Sequence, residues 1–96
     1  MNKREKQDWI VEYIKTSKFK HVDIFDLEFV EAYINACQPK RIVFQPYGAN
    51  TVPELGKYLS ELYHSNILNR ISIGLTQCYS GFPKWCYSYY IRDYKK

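Results

Sequence analysis

The hydrophobic period of this chain changes part-way through its second half, from a helical repeat to a strand repeat, and few small folds accommodate that order. Leu55, Leu59 and Leu62 recur at i, i+4 and i+7, which predicts a helix over 52–65 with one stripe facing a core. Thr51-Val52-Pro53-Glu54 has the S/T-x-x-E form of a capping box, and Pro53 falls in the first turn, where its missing N–H costs nothing. After Asn66 the repeat becomes two: Ile71, Ile73 and Leu75 alternate with Arg70, Ser72 and Gly74. A second alternating run places Trp85, Tyr87, Tyr89 and Ile91 on one face. Strands are expected over 67–75 and 85–93, joined by a loop at 76–84 long enough to project.

Upstream, residues 3–17 read as a first helix with Trp9, Ile10, Tyr13 and Ile14 on one face. His21-Val22-Asp23-Ile24-Phe25 suits a short strand. A second helix starts after Asp26 as N-cap, with Asp23 the competing cap, and Pro39 stops it. Phe29, Val30, Ala32, Tyr33, Ile34 and Cys37 give that helix a wide apolar arc, so it is expected at the centre. Gly56 inside the third helix is expected to permit close approach of another helix. Between the second and third helices, 41–45 is extended in character and Pro46-Tyr47-Gly48 reads as a turn. A strand there either pairs with the C-terminal hairpin or elaborates the connection.

A chain of 96 residues makes one domain, 1–96. Three cysteines, Cys37, Cys78 and Cys86, form no Cys-x-x-Cys pair, and His21 and His64 do not complete a zinc site, so no metal is expected and reduced thiols are. No catalytic motif is present, and neither catalytic residues nor a cofactor are expected. The Lys/Glu-rich start has no apolar core and no apolar run is long enough to span a bilayer, so a cytoplasmic protein is expected. Net charge is +4, with Lys3, Arg4, Lys6, Lys15, Lys18 and Lys20 crowding the start and Asp23, Asp26, Glu28 and Glu31 following. That balance suits a phosphate-bearing partner without requiring one. Ten tyrosines make amphipathic core edges or, on the sharper reading, a stacking platform for bases.

These elements together predict an α+β, winged helix-turn-helix-like fold: three helices, a C-terminal two-stranded β-hairpin (the wing) and a short third strand. The order of elements resembles winged helix-turn-helix domains. The run Tyr47-Gly48-Ala49-Asn50…Pro53-Glu54-Leu55-Gly56-Lys57-Tyr58-Leu59-Ser60-Glu61-Leu62-Tyr63, with Gly81-Phe82-Pro83-Lys84-Trp85, is also similar to small proteins carried by phages and prophages of enteric bacteria. The resemblance implies an accessory or regulatory protein of a mobile element.

Double-stranded DNA is the expected partner. The third helix presents Lys57, Ser60 and His64 to phosphates or base edges, with Asn50 and Thr51 at its N-terminal end. Arg70 and Lys84 flank it from the hairpin and wing, and Lys40 and Arg41 are further phosphate contacts. Glu54 and Glu61 on the same helix oppose this, Glu54 less so if a capping box turns it onto its own chain. Tyr79 and Phe82 at the loop tip either fold back onto the sheet or touch a partner. A protein-interaction module on the same fold, through the acidic 23–31 stretch or the aromatic hairpin, is the alternative, and a homodimer fits either reading.

Overall fold

The computed structural model describes residues 1–44, 50–75 and 85–92, with Asn50 as backbone only. The elements run α1 (Lys3–Thr16), β1 (His21–Val22), α2 (Leu27–Cys37), β2 (Val43–Phe44), β3 (Asn50–Thr51), α3 (Pro53–His64), β4 (Leu68–Gly74) and β5 (Trp85–Ile91). The result is a small α+β domain of three helices and a three-stranded antiparallel sheet ordered β1-β5-β4.

Local chemistry sets the helix limits. Asn2 and Glu5 close a capping box on α1: the Asn2 side chain accepts from the Glu5 N–H at 2.8 Å, and Glu5 Oε1 accepts from the Asn2 N–H at 3.0 Å. Asp26 is the N-cap of α2, accepting from the Phe29 N–H, while Asp23 instead accepts from the Phe25 N–H in the turn before it. The helix ends where Gln38 takes a left-handed conformation just ahead of Pro39.

At the other end of α3, Asn66 is left-handed (φ 66°), the Asn66 N–H donates to the Tyr63 carbonyl and the Ile67 N–H to the Leu62 carbonyl. This is a Schellman cap, with asparagine in the position glycine usually fills. It satisfies two terminal carbonyls and turns the chain directly into β4.

Two expectations, the α3 cap and the role of Gly56, are corrected, and the alternative left open for the connection is decided. The N-cap of α3 is Val52, which makes no side-chain cap; Thr51 Oγ1 donates to the Val43 carbonyl at 3.2 Å, and the Glu54 carboxylate turns away from its own helix to Lys6 on α1 and Tyr33 on α2. Thr51 is held in β3, one residue too early to cap. The strand between α2 and α3 does not join the main sheet: β2 pairs with β3, Val43 opposite Thr51 and Phe44 opposite Asn50, as a separate small ribbon. Gly56 approaches no helix; a methyl group placed there meets nothing within 4 Å.

The core lies between the helices and one side of the sheet. Ile10 and Ile14 of α1, Phe29 and Tyr33 of α2, and Leu55 and Leu59 of α3 are fully enclosed, together with Val22 and Leu68 from the sheet. Register explains the inner side of the sheet. Leu68, Arg70 and Ser72 stand opposite Ile91, Tyr89 and Tyr87, and Val22 lies opposite Tyr89. Ile71 and Ile73, opposite Ser88 and Cys86, therefore point to the other side, where Ile71 is 53% exposed.

Candidate nucleic-acid interface

The leucine stripe buries Leu55, Leu59 and Leu62 and so turns Lys57 and His64 outward, both exposed, with Ser60 half-buried beside them. Glu54 and Glu61 lie toward α1. Lys3 Nζ meets Glu61 Oε1 at 2.8 Å, and Gln7 Nε2 donates to the same oxygen at 3.1 Å. Deeper in, Lys6 Nζ meets Glu54 Oε2 at 2.8 Å, and the Tyr33 hydroxyl donates to that oxygen at 2.5 Å. The Lys6 side chain is only 10% exposed, whereas that of Lys3 is 57% exposed.

These contacts set the ionisation of both acids. Burial alone would raise the Glu54 carboxyl, but hydrogen bonds from Lys6 and Tyr33 outweigh it and hold the group below its ordinary value, with Lys40 adding to the same effect. The Lys3 hydrogen bond lowers Glu61, and Lys57 adds its field. Burial and the Glu54 carboxylate push the Tyr33 phenol far above its ordinary range. Four ammonium groups, on Lys3, Lys6, Lys40 and Lys57, thus act on two carboxylates. Both acids stay charged at neutral pH, but neither stands unopposed on the face of α3.

The remaining expected contacts do not form one site. Lys40 and Arg41 are exposed before β2, and the Lys40 charge adds a minor contribution to holding Glu54 low. Thr51 is engaged with Val43 and half-buried. The Arg70 guanidinium lies 4.0 Å from the ring centroids of both Tyr63 and Tyr87, a cation–π sandwich between α3 and the sheet that occupies both its faces. The side chain of Asn50, and all of Lys84, Tyr79, Phe82 and Cys78, lie outside the described residues, so the expected wing does too. Cys37 and Cys86 are buried free thiols, and burial with the nearby Asp23 charge pushes Cys86 up to about 11, far from a reactive thiolate.

The chain matches no family model, no curated protein and no solved structure. The site therefore rests on its own geometry.

Sequence reasoning missed the roles of Lys3, Lys6 and Tyr33. The available signal was the spacing of Glu54 and Glu61, two turns apart on α3, against Lys3 and Lys6 on a basic helix start. Among the described residues no cluster of three metal-ligating side chains forms, and no helix is long and apolar enough to cross a membrane.

Proposed function

We propose that the chain is a DNA-binding protein with a winged-helix arrangement, a regulator or accessory factor derived from a phage or prophage. The observation that carries this reading is the neutralisation of α3: its two glutamates are drawn onto Lys3 and Lys6, leaving Lys57 and His64 outward. The order α1-β1-α2-β2-β3-α3-β4-β5, with β5 between β1 and β4 and the β2–β3 ribbon as an insertion between α2 and α3, supports the winged-helix assignment. In this reading α3 enters the major groove and Lys57, Lys40 and Arg41 contact phosphates. Fluorescence anisotropy with a labelled duplex at low salt tests it. Binding that weakens steeply with salt and is reduced by Lys57→Glu is the expected result; no binding at micromolar protein overturns the reading.

A protein-interaction module on the same framework is the second reading, favoured by Phe19 and Ile71, which are 69% and 53% exposed. A pull-down from nuclease-treated bacterial lysate separates the two. A stoichiometric protein partner with no retained DNA supports the second.

A further inference from the structure

An edge strand offers unpaired N–H and C=O groups along its length, and proteins ordinarily guard such an edge with lysine, proline, a bulge or a covering element. β4 is the edge of the main sheet: β5 pairs with it on one side, and on the other no strand does so among the described residues. Its seven residues, Leu68–Gly74, contain no proline and pair with β5 one-to-one without a bulge. The one charged side chain, Arg70, does not guard the edge, because it is folded over the inner side of the sheet between Tyr63 and Tyr87. At the middle of the strand stands Ile71, exposed on the outer side, with Ile73 two positions along.

We infer that β4 is a homodimerisation strand, pairing antiparallel with β4 of a second copy about a two-fold axis at Ile71. The occupant follows from self-complementarity. With the axis at Ile71, Arg70 stands opposite the partner's Ser72 and Asn69 opposite the partner's Ile73, so no like charges face each other across the new ladder. Ile71 meets the partner's Ile71 directly and the partner's Ile73 diagonally, so the four isoleucines cover one another on the outer side. Two three-stranded sheets become one sheet of six. The strand is about 24 Å long at ~3.4 Å per residue. A ladder of that length is a small interface, in the size class of weak and concentration-dependent contacts. The pairing requires no DNA.

Analytical ultracentrifugation of the intact protein without nucleic acid, from about 1 μM to about 1 mM, measures the association. A monomer–dimer equilibrium in the micromolar range is expected, weakened at least about tenfold in Ile71→Lys, whose side chain is solvent-facing in the monomer. Cysteine cross-linking reports the register. Ile71→Cys places two thiols across the axis at disulfide distance and should give a reducible covalent dimer on mild oxidation. Ile73→Cys, about 14 Å from its counterpart in this register, should not, and wild type is the control for the native thiols. A monomer at every concentration overturns the proposal, as does a dimer indifferent to Ile71→Lys or one cross-linked at Ile73 in preference to Ile71.

Discussion

Glu54 on α3 accepts hydrogen bonds from Lys6 on α1 and Tyr33 on α2, so one carboxylate joins all three helices. Charged hydrogen bonds with little solvent access are worth more than exposed ones. Tyr33→Phe, which removes only the hydroxyl from a fully enclosed ring, is expected to destabilise by about 1.5 kcal/mol in urea unfolding. Lys3→Ala, at the exposed end of the same seam, should leave the urea midpoint unchanged. The pH dependence follows from the same group. Because the folded Glu54 carboxyl lies below 4.5, its contribution is complete above that pH and is lost as pH falls through the folded value. Lys6 is raised above 10.5, so its contribution is complete below that pH and is lost only as pH rises through the folded value. Asp23 runs the other way: burial raises it from 3.8, so ionising it costs stability at neutral pH. Asp23→Asn retains an acceptor for the Phe25 N–H. It should raise the urea midpoint at pH 7 and leave it nearly unchanged at pH 3, where the native carboxyl is already protonated.

Among the elements, α3 carries the clearest test of local helix energetics. Gly56 is in its interior, does not require a left-handed backbone, and has open space where a Cβ would sit. Gly56→Ala is therefore expected to stabilise the fold by about 1 kcal/mol, read as a rise in thermal midpoint. A close helix approach at Gly56 would have given the opposite sign. Several helix limits were legible in the sequence because they rest on neighbours in the chain: Asp26 or Asp23 before α2, Pro39 after it, Pro53 in the first turn of α3 and the leucine stripe behind it. What was not legible depends on partners far away in the chain. The T-x-x-E pattern at Thr51 is a sound local signal, yet Val43 claims the threonine, and Lys6 and Tyr33 claim the glutamate. The alternation in β4 gives its period but not its inner side. Ile71 and Ile73 face outward because Arg70, with its flat guanidinium between Tyr63 and Tyr87, fills the inner side as a ring would. Likewise the exposed basic residues near α3 could be named from sequence, but not which lysines α3 would consume.

At the scale of the whole molecule, the proposed DNA reading has only a net charge of +4 to draw on, so the placement of free and paired charge would decide affinity. Lys3 and Lys6 are tied to α3 carboxylates, whereas Lys57, Lys40 and Arg41 are exposed. If Lys57, Lys40 and Arg41 each contact a phosphate, as proposed, about three counterions are released, and log Kobs against log salt should have a slope of roughly −3. Lys57→Ala should reduce that slope by about one and weaken binding uniformly across duplex sequences. Glu61→Gln acts in the opposite direction, since it removes a negative charge from the face of α3 and frees Lys3 from its partner. That variant should bind more tightly with a steeper slope, while Lys3, being exposed, keeps the fold intact. Anisotropy titrations of the three proteins over a series of salt concentrations make the comparison. If Glu61→Gln leaves both affinity and slope unchanged, then α3 does not face the duplex, and the acidic residue that seemed to oppose DNA binding lies away from it.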